Sequence, residues 1–258
     1  MMGWLYFCII IFANTLGAIS GMGGGVIIKP LLDTIGIHPV YAISFYSSVA
    51  VLTMSVASTI KQIKNGIALQ LNFALLISVG SILGGILGDN TFEKILDVYP
   101  SGKEVLLVQI SLTVLSLIFS WVYSIYPFKK FCFTSTWLKI GVGLILGFLA
   151  SLLGIGGGPI NVAVLMCFFN LSIKESTVYS IVTIFFSQLS KVSTIAISTG
   201  FSRYDLSLLM YIIPAAILGG FIGAMLSGRL GSKYVTRVYQ IVIIAVLIIN
   251  LFNAWQII

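Results

Sequence analysis

Charge is scarce in this sequence. Only 8% of its 258 residues are Asp, Glu, Lys or Arg, about a third of the roughly 25% usual in a soluble globular domain. A water-soluble enzyme is thereby excluded. Histidine is nearly absent: His38, followed by Pro39, stands alone and leaves no H-E-x-x-H zinc site. Cys8, Cys132 and Cys167 lie far apart without C-x-x-C spacing, so neither a disulfide framework nor a metal site is expected. No basic cluster exceeds the pair Lys129–Lys130, which argues against nucleic acid as a partner. Neither glycine cluster is followed by the Lys-Ser or Lys-Thr of a phosphate-binding loop. ATP-driven transport by this chain alone is therefore not expected, and neither is any cofactor. Gly17-Ala-Ile-Ser-Gly21 has the wrong spacing for a G-x-S-x-G elbow. Only a remote Ser20/His38 dyad of the intramembrane-protease kind remains on the side of catalysis.

Long uncharged runs are what the sequence has instead. They cover Met1–Ile28, Tyr41–Ile60, Asn65–Gly88, Val105–Phe128, Ile140–Ile173, Ser176–Ser190, Leu206–Gly228 and Val238–Ile258. Most reach the ~20 residues needed to cross a hydrocarbon core of roughly 30 Å. The chain reads as an all-α polytopic membrane protein, a single membrane domain over 1–258 with about 8–10 membrane segments. Its apolar N-terminus lacks a basic n-region and an A-x-A cleavage site, so it reads as a retained first helix.

The chain also repeats itself. Gly21-Met-Gly-Gly-Gly25 returns as Gly154-Ile-Gly-Gly-Gly158 at an offset of 133, Gly66 as Gly200 at 134, and Ser81-Ile-Leu-Gly-Gly-Ile-Leu-Gly88 as Ala216-Ile-Leu-Gly-Gly-Phe-Ile-Gly223 at 135. These anchors define repeat 1 over 1–125, a basic linker over 126–137 and repeat 2 over 138–258. As one straight helix, 140–173 would be about 51 Å long, too long for a bilayer. Gly156-Gly157-Gly158-Pro159 sits in its middle. Glycine permits left-handed backbone and proline suits a first helical turn, so the segment predicts a hairpin with arms 140–153 and 159–172. Repeat 1 predicts the same with arms 4–20 and 26–37.

Three ordinary helices follow each hairpin. An odd number of crossings per repeat gives an inverted pair, and loop charge agrees. With Lys61 and Lys64 inside, Lys129, Lys130, Lys139, Lys174, Arg229, Lys233 and Arg237 also fall inside. Asp89, Glu93, Asp97, Glu104 and Asp205 collect outside, with only Lys94, Lys103 and Arg203 among them.

Inverted repeats with broken helices are an architecture of secondary transporters, whose substrate site lies at the repeat interface near the midplane. Irregular chain at membrane depth is tolerated only when buried or facing a water-filled cavity. A helix starting just after a glycine turn adds about half a positive charge there. Two such N-termini, at 26–28 and 159–161 just beyond Gly23-Gly24-Gly25 and Gly156-Gly157-Gly158, predict a site for a small anion. The bland alternative is that these glycines only permit close packing. For Gly84-Gly85-x-x-Gly88 and Gly219-Gly220-x-x-Gly223, small-xxx-small spacing makes packing the better account.

Polar residues at membrane depth extend the candidate list. Lys191 shares a helix face with Gln188, and Thr183 and Ser187 continue it; it either meets an anion or snorkels to the headgroups. Lys29 lies one turn beyond the first triplet but has Asp33 at i+4, so an intrahelical ion pair competes with substrate binding. Asn161 is an uncharged donor just after the second turn. Ser20 precedes the first, while Ser44, Ser47, Ser48 and Ser180 are weaker lining candidates, because serines often bond their own helix backbone.

At these residues the sequence resembles the sulfite exporter TauE/SafE family of bacterial membrane permeases. The resemblance rests on Gly21-Met-Gly-Gly-Gly-Val-Ile-Ile-Lys-Pro-Leu-Leu32, on Gly147 with Gly154-Ile-Gly-Gly-Gly158, and on the glycine-bearing helices at 81–88 and 216–223. It spans essentially the whole chain. It implies a multi-pass permease of the bacterial cytoplasmic membrane that exports small inorganic or organic anions, sulfite and organosulfonates among them. Pro159-Ile-Asn161 departs from the Pro-Leu-Leu-like continuation of the first half. Three functions stand side by side: an alternating-access anion carrier, a passive anion channel on the same fold, and an intramembrane enzyme or scaffold. Homo-oligomerisation, coupling ion and transport direction are left open.

Overall fold

The computed structural model describes residues 2–65, 70–99, 101–126 and 131–257. The Gly66 anchor and the Lys129–Lys130 pair lie outside them. The described residues form ten α-helices: α1 Met2–Ser20, α2 Gly25–Ile35, α3 Val40–Lys64, α4 Leu71–Val98, α5 Lys103–Ile125, α6 Thr136–Leu153, α7 Pro159–Phe169, α8 Ile173–Ile197, α9 Leu209–Arg229 and α10 Ser232–Ile257. A single 3₁₀ turn, Leu206–Leu208, leads into α9. Eight of the helices are long and apolar enough to cross a membrane. The other two, α2 and α7, have 11 residues each, about 16 Å and half a hydrocarbon core.

Local chemistry sets these bounds. Gly36 ends α2 in left-handed conformation (φ 67°), its N–H donating to Leu32 O at 3.1 Å. Gly154 ends α6 the same way at φ 64°. α6 begins at Thr136, four residues before the expected arm. α7 stops at Phe169, three residues short of it, because Asn170 turns left-handed (φ 51°). Ser172 and Glu175 then close a reciprocal capping box that starts α8 at Ile173 rather than near Ser176.

The outer surface is apolar. Trp137, Leu71, Ile197 and Trp255 expose between 74% and 87% of their area, which in water would be a large unfavourable patch and in a bilayer faces lipid. Inside, matching helices make matching contacts. α4 packs on α6 and α8, and α9 on α1 and α3; α5 covers α7, and α10 covers α2. The α4–α6 seam is backbone on backbone. A methyl at Gly80, Gly84 or Gly88 would overlap the carbonyl of Ile140, Leu144 or Phe148 in turn. Gly219 and Gly223 meet Ile11 and Thr15 of α1 in the same order. The packing account of these glycines holds, and both seams run with their helices parallel.

α3 and α8 pass each other in opposite directions. Lys191 late in α8 reaches Ser44 early in α3, while Val51 and Ile184 meet midway at the glycine turns. The end of α3 lies by the end of α9, with Asn65 Nδ2 donating to Ala224 O at 3.1 Å. At another edge Arg203 binds Glu93 of α4.

Candidate functional site at the two glycine turns

The two turns are made by backbone that other residues rarely adopt. Gly21 and Gly23 have φ of 76° and 75°; Gly154, Gly156, Gly157 and Gly158 have 64°, 74°, 119° and 68°. Only glycine enters this region without steric cost. Gly24 and Gly25 are right-handed or helical and small for another reason: a Cβ would overlap the Asn14 side chain at Gly24 and the Ile155 carbonyl at Gly25.

The turns touch. Gly158 N–H donates to Met22 O at 3.1 Å, joining one break to the other across 136 positions of sequence. Thr177 closes on Gly21 and Ser44 on Gly154, and these two residues occupy equivalent places, 133 apart. Ser180 Oγ donates to Gly21 O at 2.6 Å. The α2 and α7 N-termini that start here carry no side-chain cap, so their dipoles are left for something else to meet.

Buried polar atoms without a partner lie against the turns on Asn161, Asn14 and Ser47, and Gln188 adds another one turn beyond Ile184 on α8. Both amide atoms of Asn161 lack a hydrogen bond, as do Asn14 Oδ1, Ser47 Oγ and Gln188 Oε1, and all four residues are fully buried. Asn161 Nδ2 lies against Gly157, Asn14 Oδ1 against Gly24, and Ser47 Oγ against Gly25. A buried orphan of this kind costs about 1–3 kcal/mol, so several in one place are a feature that stability does not explain. Sequence reasoning placed Asn161, Ser47 and Gln188 among the candidates. It passed over Asn14, whose signal was a lone asparagine in an otherwise apolar first helix.

Ser20, Ser48 and Lys29 have hydrogen-bond partners already. Ser20 Oγ donates to Leu16 O at 2.7 Å within its own helix, and Ser48 does the same with Ser44 O. The His38 ring packs edge-on against Tyr6 and Tyr46. Lys29 is 2% exposed and bonds Asp33 Oδ2 at 2.7 Å, the intrahelical pair that competed with substrate binding. A small void of about 10 Å³ lies beside that pair, next to Gln109, Thr113 and Asn250. A larger cavity, about 390 Å³, runs from Asp33 past His38 to Lys103.

Lys191 does not snorkel. It is 1% exposed, and its Nζ donates at 2.8 Å to Ser44 Oγ and to Ser151 O, three residues before the Gly154 turn. Its nearest carboxylate is Asp89 Oδ1 at 3.6 Å. Asp89 is thus a correction to the loop-charge reading: it sits inside α4, 1% exposed, because α4 continues unbroken to Val98. One turn further, Glu93 takes both Nη atoms of Arg203. The Arg203 guanidinium lies 5.0 Å from the Tyr41 ring and 5.1 Å from that of Tyr204. Burial pushes the Tyr204 phenol up to about 12 against the pull of Arg203, so it stays neutral while accepting from Arg203 Nε at 2.9 Å.

Eight apolar spans and two half-length helices whose glycine turns meet at a buried polar junction define a polytopic helical membrane protein. The chain belongs to the sulfite exporter TauE/SafE family of membrane transporters, whose description "Sulfite exporter TauE/SafE" matches residues 6–250. It is also 24% identical over 263 residues to "Probable membrane transporter protein YunE" of Bacillus subtilis (strain 168), with 92% of each chain covered. No solved structure matches. The family resemblance drawn from the glycine motifs is confirmed.

Proposed function

We propose that this transporter is a secondary carrier of small anions, sulfite or organosulfonates among them, exported across the bacterial cytoplasmic membrane by alternating access about the two glycine turns. The observation that carries the reading is the Gly158–Met22 hydrogen bond, with the unpartnered buried polar atoms of Asn161, Asn14 and Ser47 lying against the same turns. Two uncapped helix N-termini supply positive potential without a full cation, and Asn161, Asn14, Ser47 and Gln188 supply polar contacts. Gly23–Gly25 and Gly156–Gly158 hold the backbone close enough to reach the anion, and Ser20 carries the first turn. Lys29 and Lys191 stand outside this contact set, their ammonium groups being held by Asp33 and by Ser44, Ser151 and Asp89.

Repeats 1–125 and 138–258, joined by 126–137, form an inverted pair in this reading. The opposite passage of α3 and α8, equivalent helices at an offset of 133, supports it. So does the matching of α4–α6 by α9–α1. Rocking one half against the other then exposes the turns to each side alternately. Purified protein in liposomes is expected to show saturable sulfite or sulfonate flux with counterflow. Linear, non-saturating conductance without counterflow would instead favour a channel, and no flux of any small anion would overturn the proposal.

A further inference from the structure

We propose that Asp89 is a proton-binding site that couples this carrier to a proton gradient, with Lys191 passing its charge state to the second glycine turn. The inference rests on the anion reading of the turns. Its starting point is an ion pair that packing does not require. Moving Lys191 back by 133 positions gives Ser58, and moving Asp89 forward by 135 gives Ala224. Both are buried, at the level where α9 closes on α3 through Gly220 and Met54. The fold therefore fills these two positions once with two charges and once with none, Lys61 of the second crossing lying apart over the Phe221 ring. A buried pair offers little stability over neutral residues of similar size, and ionisable groups at membrane depth default to function.

The geometry of the pair is lopsided. Lys191 has two short hydrogen bonds, while neither carboxylate oxygen of Asp89 has a hydrogen-bond partner. An ionised carboxylate is the acceptor-only form and here has only the Lys191 ammonium, 3.6 Å away, beyond hydrogen-bond distance; a protonated one gives up the charge that is hardest to bury. The groups facing Asp89 are Lys191 from α8, Glu93 on α4 itself, and Arg203 and Tyr204 from the loop before α9. Lys29 of α2 acts on Lys191 from further off. α6 places no charged side chain at this level, its Lys139 lying against Phe73, and Lys103 and Glu104 at the start of α5 are exposed. Glu93 and Arg203, about a quarter exposed, stand one helical turn from Asp89 and connect it to water.

Charge balance supplies the coupling. With Asp89 ionised, Lys191 is neutralised and the turn offers an anion no net charge. A proton arriving from water by way of Glu93 forms an O–H bond on Asp89 and leaves Lys191 as a bare cation. That cation is held on Ser44, which closes Gly154, and on Ser151 of the arm that leads into the turn. Proton and monovalent anion then cross together at no net charge, in the direction set by the sum of their two gradients, so that export runs where the outward anion gradient is the larger and carries a proton out with each anion. Release of the anion restores the pair and expels the proton.

The test uses the full chain in liposomes with methanesulfonate, whose charge is constant between about pH 5 and pH 8. Wild type is expected to accumulate it when a pH step is imposed, and Asp89→Asn to lose that response at least tenfold while keeping methanesulfonate counterflow within about twofold. Asp89→Ala with Lys191→Ser, which copies the neutral crossing, is expected to fold and melt like wild type. Infrared difference spectra of purified protein between the two pH values should contain a protonated-carboxyl band that Asp89→Asn lacks. A pH response surviving in Asp89→Asn, an unfolded double variant, or an unchanged infrared band overturns the inference. If wild type moves no anion at all, the carrier reading fails, and the infrared band still decides whether Asp89 takes up the proton.

Discussion

Gly157 carries the narrowest requirement in the chain. At φ 119°, with Asn161 Nδ2 and the Ile184 side chain already in contact range of a Cβ, any side chain there is both strained and crowded. Gly157→Val is expected to cost about 1–3 kcal/mol of stability from backbone strain and to abolish flux in liposomes while helical circular dichroism is retained. Normal flux in that variant would remove the second turn from the site. Asn161 poses the complementary case. Its amide has no partner to lose, so Asn161→Leu should leave the melting temperature unchanged or raise it, and weaken the anion response in a thermal-shift titration about tenfold. A large loss of stability would mean that Asn161 is structural. The glycines and Asn161 were readable in the sequence because their chemistry is local. The Asp89–Lys191 pair was not, since which carboxylate a lysine meets about 100 residues away depends on how helices from two halves cross. Lys29 was legible as a pair because its partner is one turn along the same helix.

Elements were legible where apolar runs were long, and less so at their ends. The runs located all eight crossing helices, and three glycines with a proline located the α6–α7 break. The end of α7 and the start of α8 moved by three residues because single capping residues, Asn170, Ser172 and Glu175, decided them. What the runs did not contain was the pairing of helices. α4 finds α6 through Gly80, Gly84 and Gly88, where no side chain separates the two backbones. Gly84→Leu must push α4 and α6 apart, and a cost of about 3 kcal/mol or more is expected from overpacking against backbone that has no rotamer to yield. Thermal melting in detergent measures it. A variant at the half-buried Gly141, where an added Cβ meets nothing within 4 Å, serves as the control and should melt like wild type.

The molecule as a whole tests the inverted arrangement. Ile37 follows the short helix of the first hairpin and Asn170 that of the second, and both are exposed. In a background without Cys8, Cys132 and Cys167, a membrane-impermeant maleimide is expected to label Ile37→Cys from one side of sealed vesicles and Asn170→Cys only from the other. Labelling of both from one side would make the repeats parallel. The glycine break was visible from spacing alone, while the packing of α1 on α9 and of α4 on α6 was not.

That packing has a bearing on biogenesis. α1 leaves the ribosome about 200 residues before α9, its principal neighbour, so its glycine-lined flank stays open to lipid for most of synthesis. A chain truncated after α8 should be recognised as unfinished and degraded. The two repeats made as separate polypeptides should rescue one another when produced in the same cell, each supplying the helices that the other lacks.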